Sequence, residues 1–329
     1  MHDRSIRWGI LATGPMAAAF TEDLRTIPGA DVVAVGSRSQ ESAQAFADRF
    51  SIPRAHGSWQ ELADDPDVDV VYVATPHAHH LAAATACLES GKAVLCEKPF
   101  ALNRAEAASM VAAAERRSLF LMEGMWTFVH PLVRRAQELI RDGLIGDVRS
   151  VHADFSARVP AVPGSRLRDP AAGGGALLDL GAYPVSFAHL FLGPPDHVSA
   201  WAHLNDQGVD ETTAMVLGYG NGAVAVLSCS LSFGSATGAV VHGTAGRIEF
   251  PADFYNPRRL VLHRDGHGPQ VVEAEPQMGN GYGHQAREVM RCLREKRTES
   301  ALVPLKGSLD VMHTLDRVRE LVGVRYPGE

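Results

Sequence analysis

The chain has 329 residues, 46% hydrophobic and 21% charged, a length and composition that suit a soluble fold of two domains. With 31 Lys and Arg against 38 Asp and Glu, the net charge is −7, and no basic run marks a nucleic-acid partner. No apolar stretch approaches the roughly 20 residues of a membrane span. No signal peptide is expected before the first strand, and the four cysteines Cys87, Cys96, Cys229 and Cys292 form no CxxC pair, so a reducing cytoplasmic setting without membrane contact is expected.

The first third alternates strand and helix patterns. Strands are expected at Arg7–Ala12, Asp31–Val35, Val68–Val73 and Ala93–Cys96. Helices are expected at Met16–Thr26, Ser39–Phe50, His80–Ser90 and Arg104–Arg117. Continuous apolar strands separated by helices describe a parallel sheet covered on both faces, the doubly wound (Rossmann) α/β architecture.

The pattern changes after about residue 122, so the domains are set at 1–122 and 123–329. One amphipathic helix, Pro131–Arg141, leads into strand patterns at Val148–Phe155, Val198–Leu204, Thr212–Tyr219 and Ala223–Ser232. Gly220-Asn221-Gly222 between the last two is a hairpin signal. Strands at Arg247–Phe250, Arg259–His263 and Gln270–Glu273 and helices at Gly283–Glu295 and Gly307–Leu321 complete an α+β domain with a largely antiparallel open sheet. A sheet with helices on one face leaves the other open, and the alternating Ala225, Leu227, Cys229 and Leu231 are expected to supply part of an apolar face that packs against a second copy in a homodimer.

The turn after the first strand, Ala12-Thr13-Gly14-Pro15-Met16-Ala17, has GxGxxG spacing with alanine at both outer positions. A tight turn, close backbone approach to a pyrophosphate and helix–strand packing all ask for small residues there. By itself the match is weak, and an ordinary strand-to-helix turn would look the same. Where NAD enzymes carry an acid at the end of the second strand, this chain reads Gly36-Ser37-Arg38. A hydroxyl and a guanidinium suit a 2′-phosphate, so NADP is the expected cofactor; the bland alternative is an exposed arginine on a turn.

Three further segments extend the pattern: Ala74-Thr75-Pro76-His77-Ala78-His79-His80, Cys96-Glu97-Lys98-Pro99, and Gly173-Gly174-Gly175-Ala176-Leu177-Leu178-Asp179-Leu180-Gly181-Ala182-Tyr183. In this order the chain resembles the glucose-fructose oxidoreductase, inositol dehydrogenase and rhizopine-catabolism family over nearly its whole length. It is most similar to the branch acting on dihydrodiols and aldoses, through Gly91–Pro99, Leu119–Glu123 and Trp126-Thr127 among other stretches. Ala12 and Ala17 stand where many members carry glycine, and both are small. Tyr183 stands where many sugar and inositol enzymes carry histidine. The resemblance implies hydride transfer between NADP and a sugar or cyclic diol, and places Thr75, Pro76, His80, Glu97, Lys98 and Trp126 along the cofactor.

Oxidation of an alcohol needs a proton acceptor and a stabilised alkoxide. Tyr183 can accept the proton if a cation lowers its pKa; Lys98 is that cation, and Asp179, four residues before Tyr183 and so on the same face of a helix, orients Lys98 or the substrate hydroxyls. Whether Tyr183 or Lys98 transfers the proton is left open. The aromatic residues Trp126, Phe155, Tyr255 and Tyr282 are candidate walls of the substrate pocket, with core packing as the alternative reading. Arg158, Arg166 and Arg168 flank a Pro/Gly-rich loop and reach substrate, cofactor or only solvent. His77, His79 and His80 lack the carboxylate or thiolate that would complete a metal site, so no metal is expected. Two other functions fit the same fold: an NADP-sensing regulator without chemistry, and a glycosidase using tightly held NAD transiently.

Overall fold

A computed structural model describes residues 5–162, 164–276 and 279–329. It divides into two compact units, Met1–Trp126 with Gln277–Ser308 and Thr127–Pro276 with Leu309–Glu329. The division expected at 122/123 differs from this in one large respect: the segment carrying Tyr282 and the helix after it belongs with the nucleotide-binding unit.

The first unit runs β1 (Ile6–Leu11), α1 (Pro15–Leu24), β2 (Ala30–Gly36), α2 (Gln40–Phe50), β3 (Arg54–His56), α3 (Trp59–Ala63), β4 (Val70–Val73), α4 (His80–Glu89), β5 (Ala93–Cys96), α5 (Arg104–Arg117) and β6 (Leu121–Glu123). The six strands are parallel, in the order β3-β2-β1-β4-β5-β6. The order reverses at β1, where doubly wound sheets bind ligands at their carboxyl edge. β4 and β5 are buried along their whole length, which explains their unbroken apolar runs. Capping sets the helix starts: Ser39 accepts from the Ser42 N–H, and Asn103 from the Glu106 N–H, while Glu106 accepts in return from the Leu102 N–H. The three-residue strands β3 and β6 and the short α3 escape a sequence reading because no period can be read over so few residues.

The second unit opens with α6 (Pro131–Arg141) and β7 (Val148–Ser156), and continues through a π-helical turn, Leu177–Gly181, into α7 (Ala182–Leu192). Then come β8 (His197–Leu204), β9 (Asp210–Gly218), β10 (Val224–Ser230), β11 (Ala239–Gly243), β12 (Gly246–Phe250), β13 (Arg259–Arg264) and β14 (Gln270–Glu273). α8 (Gly283–Arg294) belongs to the first unit, and α9 (Leu305–Val322) to the second from Leu309 on. The eight strands are ordered β14-β13-β12-β11-β7-β10-β9-β8, antiparallel throughout except for the parallel pair β7 and β10. β9 and β10 form the expected hairpin, with Gly222 at φ +80°.

Two expectations are corrected in this unit. The run Pro170–Leu192 is long and apolar enough to cross a membrane by length and composition, but 72% of its apolar window is buried inside the protein, as befits a core helix. The alternation in β10 is real, but its faces are the reverse of those expected. Ala225, Leu227, Cys229 and Leu231 are fully buried beneath the helical layer, where a Cβ at Gly181 would come within 2.9 Å of Cys229 Sγ. The open face instead carries Trp201, 66% exposed, with Val216 and Val226, among His152, Asp154, Ser199, Ser228, Val240 and Glu249. A period of two says which residues share a face but not which face is covered.

Candidate active site

In the first unit the nucleotide turn stands at the end of β1, beside the point where strand order reverses. Gly14 is the N-cap of α1 and Pro15 its first residue; no side chain caps the helix and no acid lies in its first turn. The N–H groups there are open to an anion. A Cβ at Gly14 would meet no atom of the other described residues within 4 Å, so packing within the chain does not demand glycine there, whereas a pyrophosphate lying against the backbone would. Thr75, after β4, has a buried hydroxyl with no hydrogen-bond partner among the described residues, as a group that meets a ligand would. At the end of β2, Arg38 is exposed and the Ser37 N–H donates to His56 O at 3.1 Å. These features fit a dinucleotide. Ala12 departs from the expectation that small size suffices: its φ is +112°, where only glycine is unstrained.

Behind Pro76, His80 is held within the chain. His80 is buried with both ring nitrogens on backbone carbonyls, Nδ1 to Pro99 O at 2.9 Å and Nε2 to Thr75 O at 3.0 Å. It ties together the loops that follow β4 and β5. Burial outweighs those carbonyls and pushes its pKa down to about 4, so the ring is neutral and donates to one of them. Among the described residues, no three His, Cys, Asp or Glu side chains gather as a metal site.

Glu97, Lys98 and Pro99 form the turn after β5. Glu97 is buried and accepts from the Tyr72 hydroxyl at 2.5 Å and from the Lys98 N–H at 3.2 Å. Its carboxylate therefore serves to shape the turn, and Lys98 is half-buried beside it. Trp126 and Tyr282 come together with ring centroids 4.5 Å apart, and the Tyr282 hydroxyl lies 3.7 Å from Met16 Sδ. Asp23 on α1 holds this arrangement by accepting from the Asn280 and Tyr282 N–H groups at 2.7 and 2.8 Å. Nothing in the sequence connected Asp23 with a residue some 260 positions away.

In the second unit Phe155, Tyr183 and Tyr255 form one aromatic group. Phe155 and Tyr255 stack at 4.7 Å and 9°, and Tyr183 leans on both, at 5.2 and 5.5 Å. Burial raises the Tyr255 pKa, so this phenol keeps its proton at neutral pH. Asp179 lies on the π-helical turn, with Arg166 Nη2 3.9 Å from its carboxylate. The wider turn replaces the α-helical spacing from which a shared face with Tyr183 was expected. Arg168 is structural, paired with Glu211 at 2.7 Å and donating to Pro160 O and Val159 O; Arg158 is exposed.

The glycine-rich segment before Asp179 rests on a buried carboxyl that the sequence did not single out. Asp210 accepts from the Leu177 N–H at 2.8 Å and from Thr213 Oγ1 at 2.7 Å. Burial raises its pKa. Gly175 has φ +117°, and a Cβ there would run into the Asp210 carboxylate. Tyr326 donates to Gly174 O at 2.7 Å, with the Arg319 guanidinium 4.8 Å over its ring.

Residues 6–125 match a model described as the oxidoreductase family, NAD-binding Rossmann fold, and residues 133–249 match the GFO/IDH/MocA C-terminal domain. Over 98% of this chain and 98% of each relative, the sequence is 38% identical to trans-1,2-dihydrobenzene-1,2-diol dehydrogenases of Bos taurus and Homo sapiens. The chain belongs to the GFO/IDH/MocA oxidoreductase family. Solved structures of similar fold include a 3-ketoreductase from Actinomadura kijaniata in complex with NADP and TDP-benzene, at 27% identity and TM-score 0.86 over 98% of this chain and 99% of that one. Another is an aldose-aldose oxidoreductase from Caulobacter crescentus complexed with glycerol, at 26% identity and TM-score 0.88 over 97% and 98%. As a GFO/IDH/MocA oxidoreductase, the chain has an NAD(P)-binding Rossmann unit, and Ala12–Met16, Ser37–Arg38, Thr75–His80 and Glu97–Lys98 follow the carboxyl ends of its strands β1, β2, β4 and β5.

Proposed function

We propose that this oxidoreductase transfers hydride between NADP and a carbinol carbon of a cyclic diol or sugar. The observation that carries the substrate reading is the aromatic group at Tyr183: Phe155 and Tyr255 flank a phenol, on the same unit as the half-buried Asp179. Aromatic faces pack against the C–H surface of a ring, while carboxylate and phenol hydrogen-bond its hydroxyls. The diol and sugar activities named for the relatives support the same class. Preference for NADP over NAD rests on Ser37 and Arg38, with no acid at the end of β2.

Bound NADP would supply the hydride acceptor. The α1 N-terminus and Gly14 would receive its pyrophosphate, Ser37 and Arg38 its 2′-phosphate, and Thr75 would find a partner for its hydroxyl. Tyr183 and Asp179, both on the second unit, would supply the proton acceptor and the group that orients the substrate hydroxyls, and Lys98 on the first unit would supply a cation. A homodimer through the open sheet face of Trp201, Val216 and Val226 is part of this proposal, because an apolar face of that kind is normally covered.

The test is a panel of aldoses and cyclic trans-diols, followed by NADPH absorbance. Turnover of at least one diol or sugar with NADP, and weaker turnover with NAD, is expected. Binding of NADP without turnover on any member would support a sensor instead, and NAD retained through purification would support transient redox use in glycoside cleavage.

A further inference from the structure

The proposed chemistry leaves one buried carboxyl of the first unit without a role. Glu123 ends β6 and is 3% exposed. The parallel register sets it opposite Cys96, the residue before Glu97 and Lys98. The next residue, Gly124, donates its N–H to Cys96 O at 2.6 Å, and a Cβ there would stand 3.2 Å from Glu97 Cα and 3.3 Å from Glu97 Oε1. Glycine thus lets the Glu123 and Glu97 backbones close on each other.

The donors divide unequally between the two carboxyls. Glu97 holds the Tyr72 hydroxyl and the Lys98 N–H, a set that suits an ionised acceptor. Around Glu123 stand the Phe100 N–H and Lys98, which favour its ionised form, while Ser308 Oγ on α9 is buried with no hydrogen-bond partner among the described residues. The Cys96 thiol on β5, which burial keeps protonated, stands beside it; Tyr72 on β4 is held by Glu97, and the neutral His80 at the start of α4 lies near Lys98. Two buried carboxylates beside one ammonium would leave a net charge in a dry site, which is costly. A proton on Glu123 leaves Glu97 and Lys98 as a balanced pair.

We propose that Glu123 is a positioning residue for the reaction: it carries the proton that keeps the Glu97–Lys98 turn in charge balance, and by releasing it sets the field in which Lys98 works. Burial, first among the causes, with Glu97 adding to it, raises the Glu123 pKa to about 7, against partial offsets from Phe100 and Lys98. The proton is therefore exchanged near neutrality, next to a residue assigned to the cofactor and the chemistry. The inference rests on the oxidoreductase reading for its consequence but not for its test.

The test compares the wild-type chain with Glu123→Gln, both loaded with NADPH, by infrared difference spectroscopy, pH-dependent unfolding and NADPH titration. A carboxyl whose folded pKa lies above its unfolded value stabilises the fold at low pH and loses that contribution as pH rises through about 7. Wild type is expected to show a protonated-carboxyl band that disappears through that range, a matching fall in stability, and an NADPH Kd that changes about tenfold for each pH unit by which the cofactor moves this titration. Glu123→Gln is expected to lose all three. If that variant does not fold, Glu97→Gln keeps the Glu123 carboxyl, removes the neighbouring negative charge and is expected to move the band's midpoint to lower pH. A wild-type spectrum without the band, or a Glu123→Gln stability profile equal to wild type, overturns the proposal. Substrate turnover enters none of these readouts, so failure to oxidise any diol or sugar would count only against the function proposed above.

Discussion

At the scale of single residues, Ala12 shows that a fingerprint position carries a backbone requirement as well as a size limit. Its φ of +112° is strained for alanine and free for glycine. Ala12→Gly is expected to raise stability by about 1 kcal/mol, the relieved strain less the extra freedom of glycine in the unfolded chain, as measured by urea unfolding. Lower stability would mean that the turn is not strained. Arg38 tests cofactor choice. A charge-assisted contact to a phosphate is worth about 1.5–3 kcal/mol, so Arg38→Ala should weaken NADP roughly 10- to 100-fold and leave NAD nearly unchanged. Equal losses in titrations of both cofactors would remove the 2′-phosphate assignment. Tyr183→Phe keeps the stack with Phe155 and Tyr255 but not the transferable proton. Turnover should fall by about 10²–10⁴-fold with NADP binding unchanged, whereas Lys98→Met should disturb both. Full activity in Tyr183→Phe would move the proton transfer to Lys98.

At the scale of elements, the segment Gly173–Gly181 is held from outside itself. Asp210 caps its helical start, Tyr326 holds Gly174 O, and Gly181 lies close to Cys229. Gly175 has both a positive φ and no room for a Cβ. Gly175→Ala is therefore expected to cost about 2 kcal/mol or more in chemical unfolding and to lower turnover by displacing Asp179, while NADP affinity is kept. An unchanged unfolding midpoint would show that the segment can shift without cost. The π-helical turn belongs to this scale too. Its residues read as an ordinary apolar helix in sequence, because one wider turn leaves no mark on the hydrophobic pattern.

At the scale of the whole molecule, assembly depends on which face of the eight-stranded sheet is open. Trp201, Val216 and Val226 lie on it, and Ala225, Leu227 and Cys229 do not. Trp201→Glu should yield monomers in light scattering at micromolar concentration with the fold retained by circular dichroism. A wild-type monomer, or a Trp201→Glu dimer, would rule out this face.

Local chemistry alone determined a good deal. The β-α alternation before residue 122, the turn at Ala12–Ala17, the acid-free end of β2 and the Glu97-Lys98-Pro99 and Gly173–Tyr183 segments were legible because strand and helix periods, glycines and charges are short-range signals. Tertiary structure decided what depends on distant partners. It assigned Tyr282 to the nucleotide-binding unit through Asp23, turned the alternating residues of β10 inward, and drew out β6 only because β5 was there to pair with it. The roles of Glu123 and Asp210 were hidden for the same reason: an acid in a sequence shows its charge, but burial and the donors around it are supplied by residues far along the chain.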